Sequence, residues 1–426
     1  MHLSASLHTQ LRPPGIGGRS GRRTVSRFVE ASASKKRSGG GRGGRRPARD
    51  GGKKSVTDGS GAPPTITSPV PTQVLEVLSD PTPQVSPLWA TFCGNAAGEW
   101  HGSAVAYNPI KGKAEPITLD ANRKKVFELP CVTLEDRVVL EDGTDLLRRE
   151  TFRACDAAAI ATPDLRTPPD EDDDESPVIY DKEEIVDGEE GLVIFEAGAY
   201  SRGPSVIGST EEFDETVCTI EQCLCWGGHN RVRCELVLST SGGGGEEIDI
   251  DVLRLMVFYE KWEAPPGYCD TNKDNCQLPT SPGVVDANER LAPASLAGEW
   301  MAFDVGCLPL VDDLDGSGER PILAYFSSET RQAWAAPPAE PSERGISLWL
   351  PGNVGVSMSL TAGYSADDDD NPAGDNLGVG GVVFGLGWMA RDGTWISLER
   401  DYSGEGVLRE VRSSSACQGG WVGGAM

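Results

Sequence analysis

A four-residue phrase occurs twice in this chain of 426 residues. Residues 97–100 and residues 297–300 both read Ala-Gly-Glu-Trp, so the second copy lies 200 residues after the first. Both copies are followed by short runs of alternating polar and apolar residues, which are separated by Gly, Pro, Asp and Ser. This pattern is typical of antiparallel barrels and sandwiches. The repeat therefore predicts an all-β protein with two tandem antiparallel β-barrels after an N-terminal leader.

The alternation is clearest between residues 231 and 238. One parity is apolar and holds Val232, Cys234, Leu236 and Leu238, whereas the other holds Arg231, Arg233 and Glu235. Such alternation predicts a strand with one buried face and one solvated face. In the later run 248–258, the same parity rule places Arg254 on the inward face, and Arg400 takes a similar place late in the second half.

The first 70 residues differ sharply in charge from the rest of the chain. They carry 14 Lys and Arg against three acidic residues, whereas the remainder carries 25 basic and 62 acidic residues. A leader rich in Ser, Arg and Gly is typical of an organelle transit peptide, and Val29-Glu30-Ala31 is a pattern at which chloroplast leaders are often cut. We therefore expect a chloroplast protein, in the stroma rather than the thylakoid lumen. The alternative is a disordered basic tail that binds nucleic acid or directs the protein to the nucleus.

The strongly acidic remainder limits the partners that we expect. It repels nucleic-acid backbones and anionic lipid surfaces, so the sequence predicts no nucleic-acid partner. No run approaches the roughly 20 apolar residues that span a bilayer, so it also predicts no transmembrane segment.

Changes in composition predict five segments. They are a transit peptide and disordered linker (1–85), a first barrel with an acidic loop insertion (86–263), a connector (264–289), a second barrel (290–412) and a C-terminal tail (413–426). The acidic runs 170–175 and 367–370 are expected to be exposed loops, with calcium binding as the alternative.

The repeated phrase resembles a signature of the calycin superfamily, in which a Gly-x-Trp near the first strand packs against an Arg late in the barrel. The matching sets here are Gly98 and Trp100 with Arg254, and Gly298 and Trp300 with Arg400. A guanidinium on an indole face gains about 0.5–2 kcal/mol of cation–π energy. The resemblance implies that these residues close a barrel and are not catalytic.

The longer segment 88–100, Leu-Trp-Ala-Thr-Phe-Cys-Gly-Asn-Ala-Ala-Gly-Glu-Trp, resembles an uncharacterised plant, algal and cyanobacterial family. That family is a lipocalin-like domain of unknown function with two barrel halves, and the resemblance covers about residues 86–412. Related calycins include phycobilin lyases and plastid proteins that act on carotenoids or oxylipins. The resemblance thus implies a small hydrophobic ligand, namely a tetrapyrrole, a carotenoid or a lipid-like molecule.

The sequence offers little for catalysis. Outside the leader there are only two histidines, His101 and His229, and no Gly-x-Ser-x-Gly elbow occurs, so a hydrolytic triad is disfavoured. The Gly-rich run 378–381 does not fit the dinucleotide pattern. We therefore predict no catalytic residues and no cofactor other than a ligand of the implied class.

One cluster has a metal-like composition. It consists of Cys218, Cys223, Cys225, His229 and Cys234. The Cys-x-Cys spacing is that of strand neighbours on one face, whereas zinc sites favour ligands on tight turns. Structural cysteines are thus expected rather than a metal site, and a thioether to a bilin on one of these thiols is the alternative.

Three functions remain. We rank first a protein that binds or carries a small hydrophobic molecule in one or both barrels. A non-catalytic assembly factor of the photosynthetic apparatus comes second. Barrels filled with side chains would favour this function, because they would leave no room for a ligand. A bilin-lyase-like or isomerase-like enzyme comes third.

Overall fold

The computed structural model describes most of the chain from residue 72 onward. The described ranges are 72–119, 123–155, 178–195, 197–208, 215–241, 249–266, 290–310, 322–336, 345–360, 381–391 and 393–419. The leader, both acidic runs and nearly all of the predicted connector lie outside these ranges.

The first half of the chain forms one antiparallel sheet. Its elements are α1 (Trp89–Ala96), β2 (Gly98–Tyr107), β3 (Ala114–Glu115), β4 (Thr118–Leu119), β5 (Lys125–Val126), β6 (Glu128–Val139), β7 (Asp145–Ala154), β8 (Val178–Val186), β9 (Val193–Ile194), β10 (Tyr200–Arg202), β11 (Glu215–Trp226), β12 (Asn230–Ser241) and β13 (Asp249–Ala264). The main strand order is β8-β7-β6-β2-β13-β12-β11-β10-β9, with β3 on β2, whereas β4 and β5 form a separate hairpin. The first long strand, β2, is thus flanked by the next long strand, β6, and by the last strand, β13.

The second half repeats this arrangement. Its elements are a 3-10 helix (Pro293–Leu296), β14 (Gly298–Leu310), β15 (Ile322–Trp334), β16 (Gly345–Leu350), β17 (Val354–Leu360), β18 (Val382–Arg391), β19 (Thr394–Tyr402) and β20 (Leu408–Gln418). The order is β1-β15-β14-β20-β19-β18-β17-β16, where β1 is Thr72–Gln84. Here β14 lies between the next strand, β15, and the last strand, β20. Each sheet is therefore a meander whose last strand returns to its first, as in an up-and-down barrel.

Side chains show that the first sheet curls. Arg149 Nη1 on β7 lies 2.5 Å from Glu221 Oε1 on β11, although four strands separate β7 from β11 in the sheet. A flat sheet with strands about 4.8 Å apart would hold them roughly 24 Å apart. Arg202 on β10 also lies 3.5 Å from Glu183 on β8, near the opposite edge. The first sheet is thus a half-barrel whose two edges approach each other.

The second sheet curls in the same way around tryptophan side chains. The rings of Trp334 on β15 and Trp349 on β16 both approach Trp395 on β19, with ring centroids 6.5 and 6.2 Å away. In the sheet order, β15 lies three positions to one side of β19 and β16 lies three positions to the other side. The predicted all-β fold is confirmed, and in place of each predicted antiparallel barrel the structure has a curled antiparallel sheet that forms a half-barrel.

The largest hydrophobic cluster joins the two half-barrels. It contains Val232 and Leu238 of β12 together with Phe384 and Leu386 of β18, all of them buried. Burying one such side chain contributes about 1.5–3 kcal/mol. The apolar face of β12 therefore packs against the second half of the chain.

Hydrogen bonds cross the same boundary. Gln222 Nε2 on β11 donates to the Phe384 carbonyl oxygen at 3.2 Å, and Tyr325 Oη on β15 donates to the Ile194 carbonyl oxygen at 3.1 Å. The two halves are thus held by polar contacts as well as by the shared core.

The predicted segment boundaries differ from the structure in three places. Residues 72–84, predicted as linker, form β1, which pairs with β15 along its length. This segment is rich in Val and Leu, and its two prolines are tolerated because β1 is an edge strand. The first half extends to Ala264 rather than residue 263, and β20 continues to Gln418 rather than ending at residue 412. No helix among the described residues is long and apolar enough to cross a membrane.

Candidate functional site

The two Gly-x-Trp copies adopt the same local structure. Gly98 and Gly298 have φ values of +147° and +140°, a region that residues with a side chain rarely adopt. The indole Nε1 of Trp100 donates to the Ala96 carbonyl oxygen at 2.9 Å, and Trp300 Nε1 donates to that of Leu296 at 2.8 Å. Each buried tryptophan is thus tied to the end of the short helix that precedes its strand.

The arginine that packs on Trp100 is Arg231 on β12. Its guanidinium carbon lies 4.1 Å from the centre of the Trp100 ring. The prediction of Arg254 for this role is wrong, because Arg254 is exposed and lies opposite Val237, whereas Trp262 lies opposite Trp100. The parity argument placed Arg254 on the correct face of β13 but at the wrong level along the strand.

The prediction that Arg400 packs on Trp300 is also wrong. Trp300 instead stacks on Trp334, with ring centroids 4.3 Å apart. Arg400 is fully buried on the opposite face of its sheet, and it donates to the carbonyl oxygens of Gly191 and Gly203, both at 2.9 Å. It therefore fastens the second half-barrel to the first.

Charged side chains fill the middle of the first half-barrel. Six buried residues of this half are joined by ion pairs, namely Glu135, Arg149, Glu221, Arg231, Arg233 and Glu260. Arg231 lies 2.6 Å from Glu135 and 2.8 Å from Glu260, and Arg149 lies 2.6 Å from Glu135. We call these six residues the ionic network. Such groups are tolerated in a core because each charge has an opposite partner.

The arginines of the network favour the ionised form of two of its carboxylates, Glu221 and Glu260. Burial opposes ionisation of Glu260, but the guanidiniums of Arg231 and Arg233 outweigh it and lower the pKa of Glu260 to about 2. Burial likewise opposes ionisation of Glu221, yet Arg149 and Arg233 lower its pKa to about 2. Glu221 and Glu260 are thus anions at neutral pH and are poorly suited to exchange protons with a substrate.

Sequence reasoning missed this network. Arg231 and Arg233 were expected on a solvated face, and the structure buries both. The reason is that β12 has two buried faces, one against the second half-barrel and one toward the inside of its own. The available signal was the alternation of Arg with Glu on β12, which places charges of both signs on one face.

An open cleft lies at the Trp100 end of the first half-barrel. Its volume is about 460 Å³. Its walls include Trp100, Trp262, His229, Cys225 and Ala197. The His229 and Trp262 rings lie 5.8 Å apart. Because Arg231 packs on Trp100, the cleft borders directly on the ionic network.

The metal-like cluster of the sequence is split between two faces. Cys218 and Cys234 pack with the core between the half-barrels, whereas Cys223 and Cys225 pack with the cluster around α1. Burial raises the pKa of the Cys223 thiol well above its usual range, so this thiol is protonated and not nucleophilic. Among the described residues no group of three or more His, Cys, Asp and Glu side chains could hold a metal ion.

The two histidines have different surroundings. His101 Nε2 lies 2.5 Å from Glu99 Oε1, and both side chains are buried. His229 is exposed in the turn between β11 and β12 and contacts an aromatic ring rather than a nucleophile. Within the described ranges, the cleft is lined by aromatic and small residues together with the His229 imidazole, the Cys225 thiol and the Asn95 amide.

Comparisons with known proteins find similarity among solved structures. No family model and no curated protein matches the chain. The chain is similar to the crystal structure of a protein of unknown function from the DUF3598 family of Nostoc punctiforme PCC 73102, at 14% identity and a TM-score of 0.42. The match covers 78% of this chain and all of the other.

Proposed function

We propose that this protein binds a small, flat, apolar molecule in the cleft beside Trp100 and does not transform it. The observation that carries this proposal is a cleft of about 460 Å³ whose wall holds the half-buried indole ring of Trp262 and the exposed ring of His229, beside the buried Trp100. Small-molecule sites have volumes of about 300–1,000 Å³ and mainly apolar and aromatic walls. Indole rings stack well on planar conjugated molecules.

The ionic network disfavours an apolar ligand inside the first half-barrel, so we place the proposed site at the end of this half-barrel. Arg149 contacts Glu221 across this half-barrel, and Arg149 and Arg231 contact the two carboxylate oxygens of Glu135. An apolar ligand placed there would have to separate these charges, at a cost of several kcal/mol. The end cleft presents no such barrier.

We infer that the ligand is a tetrapyrrole, a carotenoid or another lipid-like molecule, with a conjugated part that enters the cleft. His229 supplies the one polar ring that could orient such a ligand, and its exposure leaves it free to turn toward the cleft.

The proposal includes action in the chloroplast, which rests on the composition of the first 70 residues. A fusion of these residues to a fluorescent protein tests it, since diffuse cytosolic or nuclear fluorescence would contradict it.

A second candidate, an interaction factor that assembles other proteins, is favoured by one separate observation. The edge strand β1 exposes Val74, Leu75, Val77 and Leu78, each by 41–58% of its surface. Exposed apolar edges invite pairing with another chain. Substitution of Val77 by Lys should abolish any partner complex if this role is correct and should leave ligand binding unchanged.

Native mass spectrometry and an absorption spectrum of the protein, recovered from the cells that make it, test the binding proposal. We expect one bound molecule of a few hundred daltons or more per chain, with absorption beyond that of the polypeptide. A bare polypeptide that co-purifies with other proteins would contradict the binding proposal and support the interaction factor.

A further inference from the structure

Two arginines of the first half-barrel converge on one sulfur atom. Arg153 Nη1 on β7 lies 3.4 Å from Met256 Sδ, and Arg254 Nη2 on β13 lies 3.3 Å from the same atom. A thioether is only a weak acceptor and carries no charge. Two cations are thus brought close together by a group that neutralises neither.

Buried donors nearby have no hydrogen-bond partner. Arg153 is 5% exposed and its Nε has none, and Arg233 is 1% exposed and its Nε and Nη2 have none. Arg233 Nε approaches Glu260 only to 3.6 Å. Buried polar atoms without a hydrogen-bond partner are rare in native proteins, so a bound ligand, an ion or water is expected beside each of these donors.

The carboxylates around these arginines leave one cation unpaired. Arg153 pairs with Asp181, and Arg233 pairs with Glu235 at 2.5 Å. Arg254 makes no ion pair within the part of the chain that the structure describes, and its guanidinium contact is the Met256 sulfur. Arg254 keeps more than a third of its surface exposed, yet burial of the remainder and the charge of Arg153 lower its pKa.

The surroundings would strengthen a charged contact. The Arg233 guanidinium carbon lies 3.7 Å from the centre of the Phe258 ring, and Met256, Phe258 and Cys131 form a buried apolar cluster. Charges attract more strongly beside apolar walls than in water. An anion bound here would accept hydrogen bonds from several guanidinium N–H groups and would lie beside this apolar cluster.

We propose that Arg153 and Arg254, with Arg233 beside them, form a binding site for a compact oxyanion, a carboxylate or a phosphate group. Guanidiniums bind such groups through paired, charge-assisted hydrogen bonds. The anion would replace the Met256 sulfur as the acceptor for both Arg153 and Arg254 and would compensate the charge of Arg254.

This site is separate from the cleft. Met256 precedes Trp262 by six residues on β13, which corresponds to about 20 Å along a strand. Oxyanion binding at this site is therefore independent of ligand binding in the cleft, and a negative result for one does not contradict the other.

Isothermal titration calorimetry of the full chain tests the site. Sodium phosphate and sodium hexanoate are titrated separately at constant ionic strength, and tighter binding of one identifies the source of the oxyanion. The test variant is Arg254→Gln. It should fold normally because position 254 is exposed. The control is Arg148→Gln, which removes an equal charge from a surface pair with Glu184.

We expect saturable binding of one anion per chain, weakened at least tenfold in Arg254→Gln and changed less than twofold in Arg148→Gln. Arg153→Gln, if it folds, should weaken binding equally. Absence of saturable binding for both anions, or equal weakening in Arg148→Gln, would overturn the proposal and leave buried water as the partner of these donors.

Discussion

The guanidinium of Arg231 lies 4.1 Å above the indole ring of Trp100 and also contacts Glu135 and Glu260. Trp100 in turn lines the cleft at the end of the half-barrel. One arginine therefore links the wall of the candidate binding site to the ionic network. Stability of the network and shape of the cleft are expected to change together.

Removal of Arg231 should be strongly destabilising. Arg231→Met leaves Glu135 and Glu260 buried with fewer partners, so we expect the free energy of unfolding to fall by about 3–5 kcal/mol. Arg148→Met breaks an exposed pair with Glu184 and should cost about 1 kcal/mol or less. Urea unfolding of both variants measures the difference, and equal losses would show that the network adds nothing beyond a surface ion pair.

The network also predicts loss of stability in acid. The pKa of Glu260 and that of Glu221 are about 2 in the folded protein, below the ordinary value of about 4.5. A depressed pKa contributes stability that is complete above about 4.5 and is lost as the pH falls toward about 2. Unfolding midpoints should therefore drop across this window, and less steeply in Glu260→Gln. A Glu260→Gln variant with the same slope as the native protein would contradict this assignment.

The motif glycine is expected to be irreplaceable. An added Cβ at Gly98 would lie 2.2 Å from Trp262 Nε1, and its φ of +147° strains any other residue. Gly98→Ala should lower the free energy of unfolding by about 1–3 kcal/mol from backbone strain alone. Gly94 in α1 has open space around its Cβ position, so Gly94→Ala should be neutral or stabilising by up to about 1 kcal/mol. A destabilised Gly94→Ala with an unaffected Gly98→Ala would reverse the prediction.

Arg400 is predicted to hold the two half-barrels together. Arg400→Leu leaves the carbonyl oxygens of Gly191 and Gly203 without this donor, so hydrogen exchange should become faster in segment 191–207. The Ile207 amide, bonded to the Gly406 carbonyl oxygen at 2.8 Å, is a suitable probe. Arg409→Leu, on the exposed side of the same half, should leave exchange in that segment unchanged. Unchanged exchange in Arg400→Leu would show that the shared core alone fixes the segment.

The fold could be predicted from the sequence because repetition and strand parity are local signals. The Gly-x-Trp repeat located the first strand of each half correctly, and the apolar parity of β12 indicated its buried face. Parity does not show, however, whether the opposite face meets water or other side chains. For this reason Arg231 and Arg233 were expected in solvent although both are buried.

The arginine partners could not be predicted because they depend on curvature and on docking of the halves. Arg254 and Trp100 lie on neighbouring strands, but the register places Trp262, not Arg254, beside Trp100. Arg400 faces the boundary between the half-barrels, which no pattern within one half reveals. The cleft likewise forms from segments far apart in the sequence, including Trp100, Ala197 and His229.

The central claim is that the cleft beside Trp100 binds a small apolar molecule, and fluorescence titration with the neutral probe 1-N-phenylnaphthylamine tests it most directly. Ala197 is exposed and lines the cleft, so Ala197→Trp should fill it without removing a core side chain. The matched control is Ala335→Trp, an exposed position on the second half. We predict saturable binding of one probe per chain to the native protein and to Ala335→Trp, and at least tenfold weaker binding to Ala197→Trp. Equal binding to both variants, or no saturable binding to the native protein, would contradict the account.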